Sequence, residues 1–260
     1  MTVLAMGNSS SYSKPVEKTP VCGDIHIWWA SLDEYEPHYK ELLSADERTR
    51  AERFRFDKDR DHFIVCRAIL RDILGSYLNR EPHTLEFSYG KNGKPSLNGV
   101  NESENIDFNL SQSGGQAVYA VTRGRDIGVD IEYIRYIPDM QDIIERYFSA
   151  GEKGVFKSLP EAVRYMTFYK FWTRKEAFIK ATGDGLSFPL DKFDVSKLSG
   201  GSAGQLIVNG DTGVSSHWYI QDLNPVSGFA AAVVVKGPAG RIRCRQLAGE
   251  SGRESLVTVN

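Results

Sequence analysis

Large apolar residues alternate with polar residues in several short segments of the chain, a pattern that is typical of β-strands. These segments are residues 24–30, 106–110, 117–123, 126–133, 217–222 and 228–236. In the segment 126–133 the alternation puts the apolar side chains on one face of the strand, while Gly128, Asp130 and Glu132 share the other. This strand is therefore predicted to present apolar side chains on one face and two carboxylates on the other.

Apolar positions recur every three or four residues in other segments, which predicts amphipathic helices at residues 62–78, 140–148 and 161–181. The polar, arginine-rich segment 44–61 is also predicted to be helical, because Ser44 and Glu47 have the spacing of an N-terminal capping box. Gly183 is expected to end the last helix. Two segments rich in small residues, 90–99 and 111–115, are predicted to be turns.

The order of these elements is strand, helix and strands, followed again by strand, helix and strands. This order predicts an α+β fold, similar to an α/β sandwich, with two halves of similar size. We expect a disordered leader at residues 1–20, an N-terminal half at 21–125, a C-terminal half at 126–246 and a loose tail at 247–260. The two halves show no close sequence repeat, so the duplication is inferred from element order alone.

Composition and charge narrow the classes of function. The 260 residues are 25% charged and carry a net charge of -2, so no overall field attracts the protein to nucleic acid or to a membrane surface. The three cysteines lie far apart, without the spacing of a zinc site, which fits a reducing compartment. Without an apolar signal segment at the start, we expect a cytoplasmic protein.

Two groups of residues suggest chemistry on phosphate esters. Asp130 and Glu132 have the oxygen ligands that Mg²⁺ prefers, and Gly128 on the same face would leave room for a ligand; an exposed acidic strand is the alternative. Glu176 and Lys180 lie one helical turn apart and share a face, although a surface ion pair would have the same spacing.

Small residues and a lysine near the predicted turns suggest a phosphate-binding surface. Lys94 lies in one turn and Ser111 and Ser113 in the other, where backbone N–H groups approach an anion closely. The alternative is two ordinary hairpin turns.

Taken together, these segments resemble the 4'-phosphopantetheinyl transferases, and specifically the larger Sfp-type class. The matching pieces are residues 93–95 (GKP), 108–114 (FNLSQSG), 127–132 (IGVDIE), 146–149 (RYFS) followed by Glu152, and 171–186 (FWTRKEAFIKATGDGL). The resemblance implies a pseudo-dimer of two similar α/β halves, with a cleft that holds coenzyme A. It also implies Mg²⁺-dependent transfer of 4'-phosphopantetheine from coenzyme A to a serine of an apo carrier protein, with release of 3',5'-ADP.

The resemblance also implies roles for individual residues. The expected metal ligands are Asp130, Glu132 and Glu176. The expected catalytic residues are Glu176, Lys180 and Glu152. The residues expected to bind coenzyme A are Lys94, Pro95, Ser111, Gln112, Ser113, Arg67 and Lys180. Gln112 stands where the family usually has a histidine, and glutamine offers only a neutral hydrogen bond to a phosphate.

Two other functions fit parts of the same pattern. One is a different Mg²⁺-dependent nucleotide phosphotransferase or phosphodiesterase, although the stretch from Arg48 to Arg71 is mixed with acidic residues and forms no continuous basic track. The other is a carrier-protein-binding module that has lost turnover, for which Gln112 is the only indication. The sequence does not identify the carrier protein or its pathway, and we expect a monomer because a pseudo-dimer already contains both halves of the site.

Overall fold

The structure is a computed structural model that describes residues 20, 23–100, 105–185, 188–196, 198, 203–209, 215–224, 226–247 and 257–259. The leader predicted at residues 1–20 therefore lies outside the described residues except for residue 20. Most of the tail predicted at 247–260 lies outside them as well.

The described residues form eleven strands and six α-helices. The strands are β1 (Ile25–Ser31), β2 (Phe87–Tyr89), β3 (Pro95–Leu97), β4 (Ile106–Ser113), β5 (Gln116–Arg123), β6 (Ile127–Tyr133), β7 (Ala203–Asn209), β8 (Ser215–Leu223), β9 (Phe229–Lys236), β10 (Ile242–Leu247) and β11 (Val257–Val259). The helices are α1 (Tyr39–Leu42), α2 (Ala45–Ala51), α3 (Asp57–Leu78), α4 (Met140–Tyr147), α5 (Ala150–Ser158) and α6 (Glu161–Thr182).

The strands form two large sheets and one hairpin. The first sheet has the order β11-β10-β1-β5-β4, the second has the order β6-β9-β8-β7, and β2 pairs with β3. Strand β10 runs parallel to β1, with Ile25 opposite Ile242. Strand β10 therefore joins the sheet of the N-terminal half, although most of its residues lie in the range predicted for the C-terminal half.

The two sheets pack face to face, and each carries one long helix on its outer face. Helix α3 and the first sheet enclose one apolar core, and helix α6 and the second sheet enclose another. A third core lies between the sheets and contains side chains of both, such as Ile27 of β1 and Val129 of β6. This arrangement confirms the predicted pair of sheet–helix halves.

Two local predictions differ from the structure. The helix predicted at residues 44–61 is interrupted, since α2 ends at Ala51 and α3 begins at Asp57 after an extended Phe56. The turn predicted at residues 111–115 is limited to Gly114 and Gly115, whose φ angles are +55° and +80°. Residues 111–113 instead continue strand β4, so their side chains alternate between its two faces.

Candidate active site

Helix α6 crosses strand β6 at Gly128, and this close packing shapes the site. A Cβ atom at Gly128 would clash with the carbonyl oxygen of Ala177 and the backbone nitrogen of Ala181. The space that Gly128 leaves is thus filled by the helix backbone, and the prediction that it makes room for a ligand is wrong. The close packing brings the face of α6 that carries Glu176 and Lys180 onto the acidic face of β6.

Asp130 is the most buried acidic residue of this site, with 2% of its surface exposed. Its Oδ1 accepts hydrogen bonds from Lys180 Nζ at 2.6 Å and from Ser111 Oγ at 2.9 Å. Its Oδ2 is buried and has no hydrogen-bond partner among the described residues. Burial raises the pKa of Asp130, while the positive charge of Lys180 lowers it.

Glu132 and Glu176 complete a group of three carboxylates. Burial raises the pKa of Glu132, and the charge of Asp130 raises it further. Burial, followed by the charge of Asp130, raises the pKa of Glu176 from 4.5 to about 7, against the opposing effect of Lys180. The three carboxylates therefore lie close enough to repel one another, which favours a cation between them.

Alternate side chains of strand β4 attach it to strand β6. Asn109 Oδ1 accepts a hydrogen bond from the backbone N–H of Val129 at 3.0 Å. Ser111 donates to Asp130, and Ser113 Oγ donates to Glu132 Oε2 at 2.8 Å. The serines predicted to bind phosphate directly are thus hydrogen-bonded to the acidic residues.

The sequence contained a signal for this arrangement. Asn109, Ser111 and Ser113 occupy every second position, as expected for polar side chains on one face of a strand. Gln112 lies between the two serines, so it is on the opposite face of β4, where it is exposed. The replacement of the usual histidine therefore lies on the face of β4 that points away from Asp130.

The chemistry of the three carboxylates fits a hard divalent cation, and Asp130 retains a buried oxygen for it. Within the part of the chain that the structure describes, however, no three acidic, His or Cys side chains already form a closed metal-binding group. The ammonium group of Lys180 occupies Asp130 Oδ1, where it neutralises the charge that a metal ion would otherwise neutralise. Binding of a cation to this oxygen therefore requires Lys180 to move away.

Arg67 lies elsewhere. Its guanidinium is buried against the carboxylate of Glu47, donates to Tyr89 Oη at 3.1 Å and lies over the ring of Phe87. Its predicted contact with a nucleotide phosphate does not agree with this position, because an arginine that is buried and paired has little capacity left for a ligand.

Glu152 is also separated from the three carboxylates. It is fully buried and forms an ion pair with Lys175, with 2.9 Å between Glu152 Oε2 and Lys175 Nζ. Its oxygens also accept hydrogen bonds from the backbone N–H groups of Ser149 and Val195, both at 2.8 Å. Glu152 therefore caps helix α5 and stabilises the core of the C-terminal half. Its catalytic role stays a prediction, which this buried and paired position does not favour.

Lys94 and Pro95 belong to the β2–β3 hairpin of the N-terminal half. Pro95 begins β3 and pairs with Tyr89. Lys94 Nζ donates to the carbonyl oxygen of Ala181, at the end of α6, at 2.7 Å. Lys94 is therefore close to the helix that carries Lys180, but it is bonded to the backbone.

Comparisons with known proteins agree with this geometry. The family model described as 4'-phosphopantetheinyl transferase superfamily matches residues 126–234, and the model described as 4'-phosphopantetheinyl transferase, N-terminal, matches residues 26–123. The chain is 36% identical to the 4'-phosphopantetheinyl transferase HetI of Nostoc sp. over 227 residues, which cover 86% of this chain and 92% of the relative.

More distant relatives show the same class. The chain is 30% identical to the 4'-phosphopantetheinyl transferase Sfp of Bacillus subtilis over 164 residues, which cover 62% of this chain and 70% of the relative. It is 29% identical to the L-aminoadipate-semialdehyde dehydrogenase-phosphopantetheinyl transferase of Mus musculus over 235 residues, which cover 82% of this chain and 75% of the relative.

The fold and the site define an enzyme with an acidic, lysine-containing centre at the seam between two sheet–helix halves. The chain belongs to the 4'-phosphopantetheinyl transferase superfamily, in its Sfp-type class. The predicted class of enzyme is therefore confirmed. In the described residues, no helix has both the length and the apolar character needed to cross a membrane.

Proposed function

We propose that this enzyme transfers the 4'-phosphopantetheine arm of coenzyme A to a serine of an apo carrier protein in a Mg²⁺-dependent reaction. The serine oxygen forms a bond to the β-phosphorus of coenzyme A, the bond from that phosphorus to the bridging oxygen breaks, and 3',5'-ADP leaves. The observation that carries the proposal is the convergence of Asp130, Glu132, Glu176 and Lys180 at one point in a member of this family. We further expect a monomer that acts in the cytoplasm.

Asp130, Glu132 and Glu176 would hold the magnesium ion, which when bound neutralises charge on the pyrophosphate. Asp130 contributes its unpartnered Oδ2, and Ser113 orients the carboxylate of Glu132. These hydrogen bonds restrict the carboxylates before substrate binds, which lowers the cost of organising the site.

Lys180 and Glu176 would carry out the remaining steps. The Nζ atom of Lys180, which bonds Asp130 Oδ1 in the structure, would face the pyrophosphate and stabilise negative charge on the leaving oxygen. Glu176, directly or through water, accepts the proton of the attacking serine. Glu152 is unsuited to this step because it is fully buried and paired with Lys175.

Coenzyme A would bind along the seam beside β4. Lys180 is partly exposed beside Ser111 on the face of β4 that meets Asp130. Gln112 is exposed on the opposite face of this strand, where its side-chain amide would reach a phosphate only at the edge of the seam. Pro95 is half-buried at the start of β3, next to Lys94. Ser111 and Ser113 would act on coenzyme A indirectly, through their hydrogen bonds to Asp130 and Glu132.

The test is mass spectrometry of an apo carrier protein after incubation with the enzyme, coenzyme A and Mg²⁺. The expected result is a mass gain of one phosphopantetheine arm, absent when EDTA is added and absent for Asp130→Ala. The control variant is Glu161→Gln, which changes an exposed carboxylate at the start of α6 and should leave the mass gain intact.

A different result would identify an alternative function. If several carrier proteins gain no mass while the protein still binds coenzyme A, the chain is a binding module without turnover, and Gln112→His becomes the variant to test. A full mass gain in EDTA would remove the metal from the proposal while preserving the transfer.

A further inference from the structure

The C-terminal end of helix α6 has carbonyl groups that need partners from outside the helix. An α-helix leaves its last carbonyl oxygens without intrahelical donors. Here Gly183 adopts a φ of +75° and its N–H bonds to the carbonyl oxygen of Ile179 at 2.9 Å, which ends the helix. The carbonyl oxygens of Ala181 and Gly183 follow Ile179 in the chain, and their donors come from outside the helix.

Both carbonyl groups receive donors from the β2–β3 hairpin loop of the other half. Lys94 Nζ donates to Ala181 O at 2.7 Å, and Asn92 Nδ2 donates to Gly183 O at 2.8 Å. The partners are 87 and 91 residues apart in the chain. Asn92 also fits closely against Gly185, where a Cβ atom would come within 3.0 Å of Asn92 Cγ.

The charges around Lys94 suit a helix cap better than a phosphate site. The C-terminal end of a helix carries partial negative charge, which attracts an ammonium group. Burial lowers the pKa of Lys94, and the negative charges of Asp126 and Asp107 oppose this shift. A phosphate at Lys94 would meet the same two carboxylates and the same carbonyl groups.

We propose that Asn92 and Lys94 form a clamp that positions the catalytic end of α6, and that Lys94 is a positioning residue instead of a ligand of coenzyme A. Lys180 directly precedes Ala181, so fixing the carbonyl group of Ala181 fixes the backbone from which Lys180 reaches Asp130 and Ser111. Through this clamp the N-terminal half controls the geometry of a side chain in the C-terminal half. The inference rests on the proposed function for its kinetic consequence.

The test compares Lys94→Met, which keeps the apolar stem and removes the ammonium group, with Lys91→Met, which removes an exposed ammonium group of the same loop. For Lys94→Met we expect kcat to fall about tenfold or more, as for the loss of about 1.4 kcal/mol of transition-state stabilisation, with little change in KM for coenzyme A. Lys94→Arg, which retains a donor and a charge, should recover part of the rate. Lys91→Met should match the unmodified enzyme.

A second readout does not depend on turnover. Hydrogen exchange of the amides at the end of α6, measured without substrates, should be faster in Lys94→Met and unchanged in Lys91→Met. If Lys94→Met fails to fold, Asn92→Ala carries the same test, with faster exchange expected at Gly183 and Gly185.

The outcomes separate this inference from the proposed function. A raised KM for coenzyme A with unchanged kcat and unchanged exchange would make Lys94 a substrate ligand and overturn the clamp. An enzyme without transferase activity would refute the proposed function, while the exchange measurement would still decide whether the clamp exists.

Discussion

Glu176 provides the sharpest quantitative prediction, because its raised pKa makes the metal-free protein less stable at high pH. Its pKa is 4.5 in an ordinary environment and about 7 in the folded protein, owing first to burial and then to the charge of Asp130. Between these values the folded protein holds a proton that the unfolded chain has released. The free energy of unfolding therefore falls as pH rises through this window and stays reduced above it.

The magnitude follows from the size of the shift. A pKa that rises from 4.5 to about 7 lowers the free energy of unfolding by about 3 kcal/mol at pH 8. This value is an upper bound, because Glu176 is only partly buried. At pH 5 the same relation gives a loss of unfolding free energy of only about 1 kcal/mol. Glu176→Gln removes the titrating group and keeps the shape, so it should stabilise the metal-free protein by up to these amounts.

The assay is urea unfolding in EDTA at pH 5 and at pH 8, with free energies taken by linear extrapolation. Glu161→Gln, the same exchange at an exposed position of α6, is the matched control and should change the unfolding free energy by less than about 0.5 kcal/mol at both pH values. Added Mg²⁺ at pH 8 should stabilise the unmodified protein and leave Glu176→Gln unchanged. A Glu176→Gln protein that is no more stable at pH 8, or that gains equally at both pH values, would refute the reasoning.

Three further substitutions test the packing and the hydrogen bonds around the site. Gly128→Ala forces α6 away from β6 and should lower the free energy of unfolding by about 3 kcal/mol or more, measured by urea titration; an unchanged midpoint would contradict the packing. Ser113→Ala removes the hydrogen bond that orients Glu132, so half-maximal activity should need more Mg²⁺ while the melting temperature stays nearly constant; an unaltered Mg²⁺ requirement would exclude this role. Glu152→Gln leaves Lys175 buried without its charged partner and should cost about 3–5 kcal/mol of stability, whereas a stable but inactive variant would restore Glu152 as a catalytic candidate.

The sequence alone was enough to predict the helices and strands whose apolar residues recur with a clear period. The alternation in residues 126–133 correctly assigned the apolar and acidic faces of β6, and Gly183 correctly marked the end of α6. The spacing of Glu176 and Lys180 correctly put both on one face of that helix. These features are local, since the period of a strand or helix decides which residues share a face.

The tertiary structure decided the partners of the buried polar groups. The resemblance implied functional roles for Arg67 and Glu152, yet each is paired with a buried charge of its own half. Ser111 and Lys94 also look like phosphate ligands in sequence, but they bond to Asp130 and to the end of α6. No local pattern contains this information, because each partner lies on another element, between 19 and 87 residues away.

The same reason explains two of the differences between the predictions and the structure. Strand β10 was missed because the segment after residue 237 is polar and rich in glycine, and it becomes a strand only through its pairing with β1. Gly128 was predicted to leave room for a ligand because a glycine in a strand indicates that another group packs closely against it. The sequence does not show that this group is the backbone of α6. Periodicity thus determined which face each side chain occupies, whereas the packing of distant elements determined what lies opposite that face.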